Sequence, residues 1–387
     1  MIKASFVAAM SDQHRKAAES GRNGASGDSE RSPRLLIAGG GSGGHLFPGL
    51  AVAQAFAAEG DARVLFVGSV YGIEATAIPK TPFPFHALKV RGVRGRGLGG
   101  AVRFASQLPM ALLGAWRVIG DFRPAVVLGL GGYSSVPVVI AAWLRGVPTV
   151  IMEQNVRPGL ANRLLGHLAR RVCTAFAESV EFFPVGRALQ TGNPVRPLAT
   201  GKYSSAELFT IFVFGGSQGA HTINVAAVDA ARVLQEQLPG LRIIHQTGAA
   251  DAEWVERRYR ELRVAAEVLA FIDDMASAYG RADLVVCRSG ASTLAELAML
   301  GKPAILIPYP FAADDHQRAN ARMQVRCGAA ECIDSTALSG EGLAARILAL
   351  AHDRARLQAM GAAARQLAIP DAAQRVVDVC RRVAREG

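Results

Sequence analysis

Arg34-Leu35-Leu36-Ile37-Ala38-Gly39-Gly40-Gly41-Ser42-Gly43-Gly44-His45-Leu46-Phe47-Pro48-Gly49 decides the fold. An apolar run of strand length passes directly into a glycine-rich turn, and the turn into a stretch with helical apolar spacing. This is the pattern of a buried parallel strand delivering its chain into a helix N-terminus. Glycines there let the backbone approach a ligand closely, and the free amides and helix dipole favour an anion. The turn formally satisfies the dinucleotide pattern GxGxxG, but that site also wants an acid at the end of the next strand to hold a ribose. Here residues 63–67 run into Gly68-Ser69 and no acid comes before Glu74, which speaks against NAD. No GxxxxGKS/T is present, so a P-loop is excluded.

Outward from this unit the same rhythm repeats. Strands are expected at residues 34–38, 63–67, 125–128 and 149–152, and after a gap at 210–214, 242–245, 284–287 and 304–307. The gap holds Gly192-Asn193-Pro194 and Pro197, the punctuation of a linker. Each side opens with a strand, a glycine-rich turn and a helix, over residues 35–56 and 211–233. The pattern predicts an α/β protein of two Rossmann-like domains with parallel sheets facing a central cleft. The boundaries read as a disordered extension at 1–32, a first domain at 33–192, a linker at 193–202, a second domain at 203–368 and a C-terminal segment at 369–387. That last segment begins its helix after Pro370, with Val376, Val377, Cys380 and Val383 at helical spacing, and is expected to cross back onto the first domain.

Composition narrows the function. The chain has 387 residues, half of them apolar and 19% charged, which excludes a mostly disordered or coiled-coil protein. A formal charge of +11 points to an anionic partner: nucleic acid, membrane or phosphate ligand. Five scattered cysteines without CxxC, and eight histidines without a metal-spaced pair, argue against structural zinc and for a reducing compartment. No D-x-D occurs, which leaves no metal-holding acid pair, so neither metal nor cofactor is expected.

Three further turns carry chemistry. Gly215-Gly216-Ser217-Gln218-Gly219-Ala220 offers a hydroxyl and a run of amides for a diphosphate, unless it is only a tight strand-to-helix turn. Gly129-Leu130-Gly131-Gly132-Tyr133 could line the same cleft or serve packing. In Arg288-Ser289-Gly290-Ala291-Ser292-Thr293-Leu294-Ala295-Glu296 the spacing of Thr293 and Glu296 predicts a capping box, with a ribose-holding carboxylate as the alternative. Between residues 75 and 120 lie seven basic residues (Lys80, Lys89, Arg91, Arg94, Arg96, Arg103, Arg117) and no acid, interleaved with Phe83, Phe85, Phe104 and Trp116. Such a stretch suits an anionic bilayer surface, or is simply solvated. Nucleic acid is not expected, because RNA-binding aromatic motifs are absent.

Taken together these motifs resemble glycosyltransferase family 28, in particular its members that add N-acetylglucosamine to lipid I in bacterial peptidoglycan synthesis. Glu153-Gln154-Asn155, Gly192-Asn193-Pro194-Val195-Arg196, Phe271-Ile272-Asp273-Asp274-Met275 and Ile369-Pro370-Asp371-Ala372 complete the set, which runs in order from about Pro33 to the C-terminus. The resemblance implies a GT-B fold and an inverting, metal-independent transfer from UDP-GlcNAc to the C4 hydroxyl of MurNAc in undecaprenyl-pyrophosphoryl-MurNAc-pentapeptide. It places the enzyme peripherally on the cytoplasmic face of the inner membrane, with cell-wall and division machinery as partners in kind.

By the same resemblance, the Ile272 main chain reads uracil, Glu296 holds the ribose, Ser217 meets the diphosphate and Arg196 lies near the nucleotide. Asn155, Gln317 and Ala291, Ser292, Thr293, Leu294 and Ala295 contact the sugar or its phosphate, while Ser42, Gly43 and Gly44 close the cleft from the acceptor side. Phe83, Arg91, Arg94, Arg96, Trp116 and Tyr133 would face acceptor and membrane. His45, at the cleft end of the first turn, is the candidate base, or else a residue that positions the acceptor. The chain departs from the family's usual residues at Ser42, Met152 and His316. Rival readings are another GT-B transferase, a UDP-GlcNAc 2-epimerase, and a basic docking protein that keeps a nucleotide site for regulation.

Overall fold

Two all-parallel sheets carry the chain in a computed structural model that describes residues 33–58, 60–92, 97–196 and 208–386. The extension expected at 1–32, residues 197–202 of the expected linker, and Arg94 and Arg96 lie outside the described residues. The first sheet is built from β1 (Arg34–Gly39), α1 (Gly43–Ala57), β2 (Arg63–Ser69), α2 (Glu74–Ala77), β3 (Phe85–Leu88), α3 (Gly97–Phe122) and β4 (Val126–Gly131). It continues through α4 (Ser135–Leu144), β5 (Thr149–Glu153), α5 (Leu160–Leu165), β6 (Arg171–Thr174) and β7 (Ala188–Gln190). Its strand order is β3-β2-β1-β4-β5-β6-β7.

The second sheet begins with β8 (Phe209–Phe214), α6 (His221–Gln237), β9 (Leu241–Gln246), α7 (Ala252–Glu261), β10 (Ala266–Leu269) and α8 (Met275–Arg281). It closes with β11 (Leu284–Cys287), α9 (Ala291–Leu300), β12 (Ala304–Leu306), α10 (His316–Arg326) and β13 (Ala330–Cys332). Its order is β10-β9-β8-β11-β12-β13. Three helices follow: α11 (Gly340–His352), α12 (Arg354–Gln366) and α13 (Ala372–Arg385).

The central strands are apolar on both faces because both faces are covered. Every residue of β4 and of β8 is buried. Alternation then sorts the side chains: Leu35 and Ile37 pack with α1 and α13, while Leu36 and Ala38 pack with α3 and α4. α13 lies on the first sheet although it follows the second; Val376, Val377, Cys380 and Val383 join the core of α1 and β1. The chain therefore crosses between sheets twice. The two crossings touch at Gly192, whose φ of 86° and missing side chain make room for Ile369.

Strand order reverses between β1 and β4 in one sheet and between β8 and β11 in the other. In open parallel sheets, ligands bind beyond the strand C-termini at such switch points. All four glycine-containing turns of the sequence sit there, one after each of β1, β4, β8 and β11.

Five strands went unread in the sequence: β3, β6, β7, β10 and β13. Each has only three or four residues, and β3, β7, β10 and β13 lie at or next to sheet edges with mixed polar and apolar residues. The capping box is a correction. α9 begins at Ala291 with Gly290 as its N-cap, so Thr293 is already inside the helix and caps nothing. The helix starts three residues earlier than the spacing suggested because Gly290 itself takes the extended conformation an N-cap needs.

Candidate active site

The first glycine-rich turn is organised by Glu74, which is 1% exposed. Its Oε2 accepts the Gly41 N–H at 2.7 Å, its Oε1 accepts the Ser69 N–H at 2.9 Å, and the Ser134 hydroxyl approaches Oε1 at 3.5 Å. Cβ atoms at Gly40, Gly68 or Gly72 would each come within 3 Å of this carboxylate. Three glycines from two segments thus close on one acid. Glu74 was passed over in the sequence as an acid arriving too late for a ribose. Its neighbours Gly68 and Gly72 were the available signal. With Gly41 N–H committed, the anion-facing donors of this turn are the first amides of α1, at Gly43 and Gly44, behind the N-cap Ser42, whose side chain caps nothing.

His45 is the third residue of α1, within its first turn. Its Nδ1 lies 2.8 Å from Gln154 Oε1. Gln154 is fully buried, and its Nε2 donates to the Leu130 carbonyl at 3.0 Å. That carbonyl can only accept, so the amide is oriented with Oε1 towards the imidazole, and Nδ1 must carry the proton. The lone pair of neutral His45 is therefore on Nε2. Beside Gln154, the buried Glu153 accepts from the Asn155 N–H at 2.8 Å, Asn155 Nδ2 at 3.2 Å, Asn162 Nδ2 at 2.9 Å and the Gly159 N–H at 3.3 Å. Burial still holds its carboxyl above the ordinary range, opposed by those donors and by the nearby His45.

Asn320 on α10 joins this network to the second sheet. It is fully buried, accepts the Val156 N–H at 2.9 Å and donates to Asn155 Oδ1 and to the Ser289 carbonyl, each at 3.1 Å. No role was read for it in the sequence, although it stands three residues after Gln317 on one helix face. A second bridge comes from Pro48. Lacking an N–H, it leaves the Gly44 carbonyl unused within α1, and Ser292 Oγ on α9 reaches that oxygen at 3.5 Å.

On the second sheet, Glu296 accepts the Tyr279 hydroxyl on Oε2 at 2.8 Å, which leaves Oε1 without a hydrogen bond among the described residues. Burial raises its carboxyl above the ordinary range, while the Tyr279 hydroxyl and the Arg196 charge pull it back in part. The Arg196 guanidinium lies 5.0 Å over the Phe47 ring of α1, so this crossing residue faces both halves. Ser217 is exposed in the turn before α6. Arg288, another residue given no role, donates to Thr222 Oγ1 at the start of α6 and to the Ile307 and Pro308 carbonyls, placing a cation beside that turn. The Ile272 side chain is buried between exposed Phe271 and Asp273. Gln317 Oε1 accepts the Tyr309 N–H at 2.9 Å. On α9, Ala291 and Leu294 are buried, whereas Ser292, Thr293 and Ala295 are half-buried.

The residues expected to face acceptor and membrane separate. Tyr133 packs its ring against Gly41 and Gly92 beside the first turn. Phe83 is half-buried, 5.8 Å from Phe66, and its ring is committed to the core. The Arg91 guanidinium stacks 3.9 Å over the exposed Tyr71. Trp116 is exposed on α3 beneath the Arg145 guanidinium. Among the described residues no group of three His, Cys, Asp or Glu could hold a metal ion, and no helix is long and apolar enough to cross a membrane.

Sequence models of the glycosyltransferase family 28 N-terminal and C-terminal domains match residues 35–174 and 210–376. A protein of Anaeromyxobacter sp. (strain K) is 44% identical over 91% of this chain and 93% of its own length. One of Geobacter sulfurreducens is 46% identical over 89% and 97%. Both are named UDP-N-acetylglucosamine–N-acetylmuramyl-(pentapeptide) pyrophosphoryl-undecaprenol N-acetylglucosamine transferase. The crystal structure of Acinetobacter baumannii MurG superposes with a TM-score of 0.76 at 32% identity, covering 90% of this chain and 99% of that one. The two facing switch points, the turns that furnish them and the matches over both halves have one reading: the chain belongs to glycosyltransferase family 28.

Proposed function

We propose that the protein transfers N-acetylglucosamine from UDP-GlcNAc to the C4 hydroxyl of MurNAc in undecaprenyl-pyrophosphoryl-MurNAc-pentapeptide, releasing UDP and forming a β-1,4 bond with inversion. The observation that carries the reading is the path from His45 through Gln154, Asn155 and Asn320 to Ser289. It ties the candidate base on one switch point to the donor helix on the other. The names of the relatives support the substrates.

His45 Nε2 would take the proton of the attacking hydroxyl, because Gln154 occupies Nδ1. Oε1 of Glu296 would accept the ribose hydroxyls, and the buried Ile272 side chain would fix a main-chain edge for uracil. The departing diphosphate would meet Ser217 and the amides at the start of α6, with the Arg288 and Arg196 charges nearby. Gln317, Asn155 and the first turn of α9 would surround the sugar. Ser42 and the Gly43 and Gly44 amides would receive the acceptor's pyrophosphate.

The lipid-linked acceptor requires a membrane surface. The layer formed by α3, α4 and α5 exposes Met110, Leu113, Trp116, Trp143, Leu144, Leu160 and Leu164, an apolar face flanked by Arg91, Arg103 and Arg117. This face suits peripheral docking on the anionic cytoplasmic leaflet.

The test is UDP release from UDP-GlcNAc by purified protein, with and without lipid I in micelles. Release that depends on lipid I, and that His45→Ala and Glu296→Ala abolish, is the expected result. Release of UDP without lipid I, or none from folded protein with competent acceptor, overturns the proposal.

A further inference from the structure

Between the two halves, where both crossings run, lies a cavity of about 320 Å³. The first crossing lines it with Gly192 and Asn193, and the second with Leu367 and Ile369. From α9 it takes Ala295, Ala298 and Met299, which stand at i, i+3 and i+4 on one helix face. None of Ser217, Ile272, Glu296 or Arg196 lines it. Of the residues placed around the donor, only Ala291, Leu294 and Ala295 in the first turns of α9 are shared, so this helix is the wall between the cavity and the donor site. The volume falls at the low end of the roughly 300–1,000 Å³ of small-molecule sites.

Its lining states what it would hold. Gln324 on α10 is 5% exposed, and its side-chain amide makes no hydrogen bond among the described residues. Asn193 is 8% exposed, and both atoms of its amide are likewise buried without a partner. A side-chain amide carries both donor and acceptor, and leaving either unpaired in the interior is costly. Two such groups in one wall mark a place that a ligand's own donor and acceptor would complete. Around them the surface is apolar, with Phe176, Met299 and Met323, and the two thioethers adapt to different shapes. Among the described residues of the lining only Glu178 is charged, and Arg326 pairs with it across the halves at 2.9 Å. A charged ligand would find no counter-charge there, and a wholly apolar one would leave the amides unpaired.

We propose that this cavity is a binding site for a small uncharged molecule with an apolar body and a carboxamide edge, the edge paired with Gln324 and the body packed between α9 and the crossings. Such an occupant touches both halves. It therefore favours the arrangement in which they now stand and biases cleft closure from outside the nucleotide site.

The experiment is calorimetric titration of the full chain with naphthalene-2-carboxamide, which has such a body and edge, and with naphthalene-2-carboxylate as its charged counterpart. The amide should bind with a Kd below about 1 mM, in keeping with a ligand of its size, and the carboxylate about tenfold more weakly or worse. Gln324→Leu, which removes the pairing amide, should weaken the carboxamide about tenfold. Cys327→Trp, which fills the exposed mouth of the cavity, should abolish its binding. Unchanged thermal unfolding establishes that both variants are folded. Saturating UDP should leave the wild-type Kd within about threefold. Bound probe should slow hydrogen exchange on both sides of the cavity, at residues 176–178 of the first half and 323–327 of the second.

Equal binding of carboxamide and carboxylate would overturn the ligand class. Unchanged affinity in either folded variant would put the probe elsewhere and overturn the site. Competition by UDP would make the cavity part of the nucleotide site, and protection confined to one half would refute the bridging. Folded wild-type protein that shows neither heat nor protection would reduce the cavity to a solvent-filled gap at the crossings and overturn the proposal.

Discussion

Glu74→Gln tests whether the first glycine-rich turn is shaped by a buried carboxylate. The side chain keeps its size, but one of its two acceptor oxygens becomes an NH₂ group facing a backbone N–H. Either Gly41 or Ser69 then loses an acceptor now at 2.7 or 2.9 Å and meets a donor instead. Hydrogen bonds to charged groups contribute about 1.5–3 kcal/mol each, and an unsatisfied buried donor costs about 1–3 kcal/mol. The turn should therefore be destabilised locally by roughly 2–4 kcal/mol. If that free energy comes out of acceptor positioning, kcat/KM for lipid I falls about 30- to 1000-fold at fixed UDP-GlcNAc. The proposed UDP site lies on the other sheet, so UDP affinity, read by calorimetry, should change less than twofold. Glu74→Asp, which withdraws the carboxylate but keeps both oxygens, should fall between. A variant that retains kcat/KM for lipid I within threefold refutes the role. One that loses UDP affinity as steeply as acceptor turnover refutes the locality, because the carboxylate would then be holding the whole fold.

Three further outcomes follow from the same geometry. In ¹⁵N spectra at neutral pH and above, the proton of neutral His45 should reside on Nδ1, and Gln154→Leu should mix the tautomers and lower kcat by about 10- to 100-fold; an Nε2-protonated ring in the wild type would exclude His45 as the base in this pose. Burial raises the Glu296 carboxyl, so UDP affinity should weaken as pH falls through a window above the usual carboxylate range, up to tenfold per pH unit below it; Glu296→Gln should bind weakly with a flat profile, and a wild-type profile equally flat would contradict the ribose role. His245 is fully buried between Tyr259 and Asn224, and burial lowers its pKa from 6.5 to about 3. Its contribution to stability is present above pH 6.5 and is lost as pH falls, because the unfolded chain takes up a proton that the folded one refuses. The loss amounts to about 2 kcal/mol between pH 7 and 5. Urea midpoints for wild type and His245→Asn should differ in pH dependence by that amount, and parallel dependences would refute it.

The fold was legible because its central strands are sealed on both faces. β1, β4, β8 and β11 are almost wholly apolar runs that lead into glycine-containing turns, a strong local signal. The edge strands were not legible for the opposite reason. β7 is Ala188-Leu189-Gln190 and β13 is Ala330-Glu331-Cys332, three residues each, and their strand character comes from pairing with β6 and β12 rather than from their own pattern. The capping box failed on a related point. Thr293 and Glu296 have the spacing of a helix start, but the start was set by the backbone at Gly290, and Glu296 was left free to pair with Tyr279.

The site divides along the same line. Residues at the mouths of glycine turns, such as the exposed Ser42 and Ser217 and the half-buried His45, could be picked out from local pattern. The groups that hold them could not, because each is buried and acts on a partner distant in sequence. Glu74 reaches Gly41 across 33 positions, Gln154 reaches His45 across 109, and Asn320 reaches Asn155 across 165. A buried polar side chain without its partner is costly, so these residues are fixed by three-dimensional neighbours, and a one-dimensional reading shows only an acid, an amide and an amide. Their arrangement has a consequence for how the two halves act together. Asn320 bonds at once to the Ser289 carbonyl, ahead of the donor helix, and to Asn155, next to the amide that sets the His45 tautomer. Opening the cleft would break the Asn155 and Val156 contacts but not the Ser289 contact, which lies within the second half. On the proposed function, the geometry of the candidate base would then be coupled to closure through Asn320, whereas the proposed UDP site lies within the second half alone.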